Sequence, residues 1–170
     1  MPWLSSSVPK DVQKSLAREP GERVLAGVQD ANGRWVVGTD SALYVWGGTD
    51  YERRPWETIA QASWDREAAE LLVVEVADFG APEPREVVPL EEPGRVLELI
   101  RERVTASILL TRSVPVRAGS SLKVVVRRSP TRTGDVTFAF VLDNDLDPGD
   151  QQVADAAKRG LTEVRDELGL

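Results

Sequence analysis

Short alternating apolar runs, each closed by a turn signal, fill residues 22–90 and constrain the fold more than any other feature. Asn32-Gly33 lies between two such runs, and this dipeptide readily supplies the positive φ angles of a tight hairpin. Six strands in about 70 residues, each separated by turn chemistry, predict a β-barrel or β-sandwich. The predicted strands cover residues 24–26, 34–38, 42–46, 54–64, 71–76 and 85–90.

The hydrophobic period then changes from two to 3.6. A helix is predicted over residues 94–106, where Val96, Leu97, Ile100 and Val104 form one apolar stripe. Alternation returns after it, and we expect one strand face to carry four apolar residues. Pro115 marks this strand as edge-like or as ending there, and two further strands are predicted over 122–128 and 136–142. The four residues of that face are Ile108, Leu110, Val114 and Val116.

Capping signals predict a helix at the C-terminal end. Asp147 is the expected N-cap, Pro148 the first helical residue, and Asp150 completes a box-like pattern. Ala156 and Gly160 allow close packing beside the apolar stripe, so we expect this helix to cover the preceding hairpin. The stripe consists of Val153, Ala157, Leu161, Val164 and Leu168.

Three segments of residues 21–106 carry a resemblance to a known family. They read Gly-Glu-Arg-Val-Leu at 21–25, Trp-Val-Val-Gly-Thr-Asp-Ser-Ala-Leu-Tyr-Val at 35–45, and Arg-Pro-Trp-Glu-Thr-Ile at 54–59. They resemble the Gly-Glu-x-x-Leu opening, Thr-Asp-x-x-Leu hairpin and apolar-Pro-aromatic-x-x-Ile strand of bacterial pleckstrin-homology-like domains. The resemblance implies a bent sheet or split barrel capped by its helix, which serves as a binding or assembly module without catalysis.

The expected fold class is therefore α+β, mainly β, in three segments. Residues 1–20 form an N-terminal arm with one short helix, 21–106 the pleckstrin-homology-like barrel, and 107–170 a three-strand and helix extension packed on it, in the same domain. Six predicted strands depart from the seven of a full domain of this type, and one extension strand is a candidate to complete the sheet. The whole chain also resembles small actinobacterial proteins, which implies no activity.

Composition excludes much catalytic equipment. The chain has no Cys and no His, which removes thiolate nucleophiles, histidine bases, Ser-His-Asp triads and ordinary zinc sites. No cofactor is expected. The net charge of −7 argues against general binding to nucleic acid or acidic membranes. The sequence has no apolar run of membrane-spanning length and no signal-peptide pattern near Met1, so we expect a cytoplasmic protein that is not transmembrane.

A basic run between residues 103 and 132 contains no acidic residue. A cationic sheet face of this kind is able to hold phosphates of nucleic acid, a lipid headgroup or a nucleotide, with Arg112, Lys123, Arg127 and Arg128 as the candidate contacts. Residues 143–170 are acid-rich, however, and their helix is expected to neutralise the run inside the molecule. Both interpretations stay open, and the second is favoured. The run consists of Arg103, Arg112, Arg117, Lys123, Arg127, Arg128 and Arg132.

The tryptophans all lie in the first 64 residues. Strand pattern predicts Trp35 and Trp56 in the core, whereas Trp46, beside a Gly-Gly loop, and Trp3 are the better candidates for contact with another chain.

The acidic segment at 143–147 invites a calcium interpretation. The sixth and twelfth positions of an EF-hand loop would be Pro148 and Ala154 instead of Gly and Glu, so helix capping is favoured.

Three hypotheses follow. The first is a non-catalytic cytoplasmic module that binds an unidentified protein partner or itself through a sheet edge or the Trp46 region. The second is an anion binder that uses the basic run on nucleic acid, a phospholipid headgroup or an acidic partner. The third is a hydrolase that uses carboxylates alone, and it ranks last because it needs two perturbed carboxylates in one cleft.

Overall fold

The structure, a computed structural model, describes residues 8–131 and 134–170. Within those ranges the chain forms ten strands, three α-helices and one 3-10 turn. The predicted α+β, mainly β class is confirmed. The elements are α1 Lys10–Ser15, β1 Val24–Gln29, β2 Trp35–Thr39, β3 Ala42–Trp46, β4 Tyr51–Pro55, the 3-10 turn Trp56–Thr58, β5 Ile59–Asp65, β6 Glu70–Glu75, β7 Arg85–Pro89, α2 Gly94–Ala106, β8 Ile108–Arg117, β9 Ser120–Arg127, β10 Thr137–Leu142 and α3 Gln151–Leu168.

Seven strands precede α2, so the expectation of six was wrong. The strand predicted over 54–64 is broken by the 3-10 turn, in which the Thr58 hydroxyl donates to the Pro55 carbonyl oxygen at 2.7 Å. The indole N–H of Trp56 donates to the Thr39 carbonyl oxygen at 3.0 Å and holds the turn in the core. The break was hidden in the sequence because the turn carries an apolar residue where a strand would also have one.

The strands β1–β7 and helix α2 form the N-terminal sandwich. One sheet has the order β1-β2-β3-β4 and the other β5-β6-β7, all antiparallel. Residues of both sheets and of α2 share one buried core, and the predicted α2 stripe faces it. Burying one such side chain contributes about 1.5–3 kcal/mol. The buried residues are Val36, Leu43, Val45, Trp56, Ile59, Leu71, Val73, Val88, Leu90, Val96, Leu97 and Ile100.

The remaining strands form a separate C-terminal sheet with the order β10-β9-β8, so no extension strand joins the sandwich sheets. Helix α3 covers one face of this sheet with the predicted apolar stripe, and β8 is an edge strand as Pro115 indicates. Ile108 is exposed and does not share the buried face, because a bulge between Ile108 and Leu110 interrupts the alternation.

Helix α3 begins later than its sequence predicts. Asp150 is the N-cap, and its carboxylate accepts a hydrogen bond from the Gln152 backbone N–H. Asp147 instead accepts from the Gly149 N–H at 2.8 Å, one turn earlier. The prediction of Asp147 as the cap and Pro148 as the first helical residue was therefore wrong, because two aspartates three residues apart offer the same capping chemistry.

Helix α1, the short helix predicted for the N-terminal arm, lies on the outer face of the β1–β4 sheet. Below it, the buried Glu22 carboxylate accepts hydrogen bonds from the Thr39 hydroxyl at 2.6 Å and the Tyr44 hydroxyl at 3.0 Å. Arg53 Nε lies 3.3 Å from the same carboxylate. Burial, together with the negative charge of Glu22, raises the pKa of Tyr44 to about 12.

The contact of α3 with its sheet gives a test of packing. A Cβ at Gly160 would lie 2.7 Å from Cγ2 atoms of both Val114 and Val124. We expect Gly160→Val to lower the free energy of unfolding by about 2–3 kcal/mol, because overpacking exceeds any gain in helix propensity. The exposed control Thr162→Val should stay within about 0.5 kcal/mol. Urea unfolding measures both, and equal midpoints would contradict this packing.

The Tyr44 cluster predicts a loss of stability at high pH. Both states keep the phenol proton below pH 10, but between pH 10 and about 12 only the folded state keeps it. The free energy of unfolding should therefore fall with pH in that window, by at most about 1.4 kcal/mol per unit. Tyr44→Phe should remove this slope. Absorbance at 295 nm should show one phenol of the wild-type protein titrating near 12, and its absence would contradict the buried cluster.

Candidate functional site

Two arginines of the basic run contact acids of the C-terminal segment. Arg112 on β8 pairs with Glu167 on α3. Arg117 lies 3.6 Å from a carboxylate oxygen of Asp145 and 3.7 Å from one of Asp150. A hydrogen bond from the Ser120 hydroxyl, with the charge of Arg117, lowers the pKa of Asp145 below its usual value. At these two positions the structure has the internal charge pairing that the sequence favoured.

Arg127 lies at the seam between the N-terminal sandwich and the C-terminal sheet, and only 5% of it is exposed. Its guanidinium donates to the Val104 carbonyl oxygen at 3.0 Å, the Ser107 hydroxyl at 2.9 Å and the Ala60 carbonyl oxygen at 3.1 Å. Burial lowers its pKa below the ordinary value for arginine. This side chain joins the two units and does not face solvent.

The predicted anion contacts do not converge on one surface. Lys123 is exposed on the sheet face opposite α3, whereas Arg112 lies on the α3 side. Arg128 is half-buried and lines a hollow of about 400 Å³ beside Arg53 and Glu57. Arg132 lies outside the described residues.

Trp46 is half-buried and already has aromatic and cationic contacts. Its ring meets Tyr51 edge-on with 5.0 Å between centroids, and the Arg34 guanidinium lies 4.0 Å above it. Trp56 is in the core as predicted, and Trp35 is only half-buried. Trp3 lies outside the described residues.

The carboxylates that sequence reasoning considered are bonded within the chain. Asp143 accepts from the Ser121 backbone N–H at 2.8 Å, and among the described residues no cluster of three acidic ligands is placed to hold a metal. In the sandwich, Arg54 contacts three carboxylates, at 2.6–3.0 Å. These are Glu52, Glu75 and Glu86.

A feature that sequence reasoning missed is an apolar groove along β10. Its first hollow, about 800 Å³, lies between the 76–84 loop, β10 and α3. A second hollow of about 500 Å³ shares the same loop and continues on the opposite face of the strand. Both volumes are in the range of ligand pockets. We call the two hollows together the β10 groove; its main apolar lining is Phe79, Pro82, Phe138, Phe140, Ala154 and Leu161.

The free edge of β10 runs along this groove. The Asp143 N–H donates to the Ser121 carbonyl oxygen, and the β10–β9 register continues without a bulge. Along an antiparallel strand, residues whose N–H and C=O groups bond to the neighbouring strand alternate with residues whose groups point away from it. On β10, the backbone groups of every second residue therefore point away from β9. Those residues are Phe138, Phe140 and Leu142, and within residues 8–131 and 134–170 no hydrogen bond to their N–H or C=O groups is recorded.

The loop opposite does not pair with this edge. Pro82 and Pro84 have no N–H to donate, and Phe79 contacts Phe140 edge-on at 5.2 Å through the side chain. The other edge strand, β8, differs, because Gln152 and Arg159 of α3 donate to its carbonyl oxygens at Val116 and Pro115. The prolines were visible in the sequence, but nothing local placed them opposite residues 137–142.

The seam gives a test of whether Arg127 is structural. We expect Arg127→Ala to lower the free energy of unfolding by about 2–3 kcal/mol, because it removes charged donors from buried acceptors. Lys123→Ala, on the same strand face but exposed, should change it by less than about 0.5 kcal/mol. Urea unfolding distinguishes the two variants. If Arg127→Ala left the free energy of unfolding unchanged, Arg127 would again be a candidate ligand contact.

Among the described residues, no helix combines the length and the apolar character needed to cross a membrane. No protein-family model, curated protein or solved structure matches the chain.

Proposed function

We propose that this protein is a non-catalytic binding module that holds an extended segment of a partner protein against β10. The observation that carries the proposal is the row of unpaired backbone groups on β10 at the centre of the β10 groove. An added strand would pair with Phe138, Phe140 and Leu142, and its side chains would alternate between the two hollows. Each hydrogen bond contributes about 0.5–1.5 kcal/mol, and the apolar hollows add the burial term.

The sandwich supports the module interpretation. Four strands, then three, then a closing helix fit the seven-strand plan that the resemblance to pleckstrin-homology-like domains implies. We assign residues 21–106 to that class as part of the proposal, in a cytoplasmic protein. The extension would then supply β10 and α3, while the loop between β6 and β7 supplies the opposite wall of the groove.

The two other hypotheses have less support. Anion binding needs basic side chains that converge in solvent, but Arg127 is buried in the seam and Arg112 is paired with Glu167. A carboxylate hydrolase needs two carboxylates with perturbed environments in one cleft, whereas the acids at the β10 groove, Asp78 and Glu83, are both exposed. Both remain untested predictions.

A groove-filling variant tests the proposal. Ala154 is half-buried on the groove wall of α3, and Ala154→Trp places an indole in the hollow without removing a core side chain. Ala106→Trp, at the exposed end of α2, is the matched control. A displayed library of random ten-residue peptides is selected on the full chain, and we expect peptides with apolar residues at every second position. Ala154→Trp should weaken their binding about tenfold, or about 1.4 kcal/mol, and Ala106→Trp should not.

Backbone methylation separates strand addition from simple apolar contact. Peptides N-methylated at residues of one parity should lose binding, while methylation of the other parity should be tolerated, because only alternate N–H groups face β10. Equal binding to Ala154→Trp, or no effect of parity, would overturn the proposal. A dimer that Ala154→Trp dissociates in sedimentation would instead identify a second copy of the chain as the occupant.

A further inference from the structure

The charges of α3 differ between its two flanks, apart from Arg159, which donates to the Pro115 carbonyl oxygen on the β8 side. On the flank near β8, Glu167 pairs with Arg112, and the N-cap Asp150 lies near Arg117. On the flank near β10, the residues at the groove are Ala154, Ala157, Lys158 and Leu161. Helical spacing places Arg165 on this flank, seven residues after Lys158. The acid-rich segment 143–170 therefore presents cations to the β10 groove.

These two cations have no acidic partner in the part of the chain that the structure describes. No ion pair of Lys158 or Arg165 is recorded within 4.0 Å there, and the Arg165 guanidinium lies 5.3 Å from the ring of Phe138, which lines the groove. The acids on the opposite wall, Asp78 and Glu83, belong to the 76–84 loop and are exposed. Positive charge thus lies on the α3 wall and negative charge on the loop wall.

We infer that the segment bound along β10 is acidic: it carries a carboxylate among its alternating apolar residues, on the side that faces α3, where Lys158 and Arg165 receive it. This inference rests on the proposed function and names the chemistry of its partner. A carboxylate on the α3 side of an added strand would lie near Lys158 and, beside the ring of Phe138, near Arg165, whereas one on the loop side meets Asp78. The two charged walls would thereby fix the orientation of the segment as well as its composition.

Two charge reversals test the inference. Lys158→Glu reverses a charge on the groove wall, and Lys123→Glu makes the same change at an exposed lysine outside the groove. The random ten-residue library is selected separately on the wild-type chain and on both variants. With the wild type and with Lys123→Glu, we expect Asp or Glu to be enriched at one of the alternate positions whose side chains face α3. Lys158→Glu should lose that enrichment or favour Lys and Arg.

Affinities then give the size of the effect. One selected acidic peptide and its analogue with Gln for the acid are synthesised as probes. Lys158→Glu should weaken the acidic peptide about three- to fivefold, as expected for a partly exposed ion pair, and leave the Gln analogue unchanged. The difference between the two peptides should shrink as NaCl is raised from about 0.05 to 0.5 M.

The outcomes separate this inference from the proposed function. Alternating apolar peptides without acid enrichment, or equal effects of Lys158→Glu and Lys123→Glu, would overturn the inference and leave strand addition intact. Peptides that bind the Ala154→Trp variant as well as the wild type would overturn both. Acid enrichment that follows Lys123 instead of Lys158 would move the site to the opposite face of the sheet and would also overturn the inference.

Discussion

The geometry of the β10 groove depends on the hydrogen bonds of the buried Arg127 guanidinium. One wall of the β10 groove, the 76–84 loop, belongs to the N-terminal sandwich, and the other, β10 with α3, belongs to the C-terminal unit. Arg127, on β9, donates to the backbone carbonyl oxygens of Ala60 and Val104 in the sandwich. The Thr137 hydroxyl, on β10, donates to the Glu57 backbone carbonyl oxygen at 2.8 Å. Because both walls are fixed through this seam, its loss would change the width of the groove.

The parts of the fold that local pattern determines could be predicted from the sequence. The stripes of α2 and α3 are spaced by the helical period, and both face cores as expected. The errors arose where local chemistry has two solutions. The pattern of residues 54–64 is compatible with one strand or with two strands joined by a turn. The turn is selected by the hydrogen bond from the Trp56 indole to the Thr39 carbonyl oxygen, a partner that is distant in the sequence. Asp147 and Asp150 are both good caps, and the preceding turn uses the first.

The candidate site could not be predicted, because its parts are far apart in the sequence. Pro82, Phe140 and Leu161 look ordinary in their own segments, and only the packing of two units brings them to one groove. The basic run was visible but ambiguous, since alternation sends Arg127 and Arg112 to opposite faces of the sheet. Sequence shows how much charge a strand carries, whereas the neighbouring elements decide whether that charge is paired, buried or open.

Ion pairing within the chain explains why an acidic protein is able to present a cationic groove wall. Net charge sums over the whole molecule, but short-range contacts cancel part of it locally: Glu167 and Asp145 are paired with arginines of β8. An exposed ion pair contributes little to the free energy of unfolding, so its main effect here is on the electrostatic potential at the nearby surface. Pairing on the β8 flank leaves Lys158, at the groove, with no ion pair within 4.0 Å among the described residues. Apolar surface, unpaired backbone groups and unpaired charge of one sign then meet at a single strand edge.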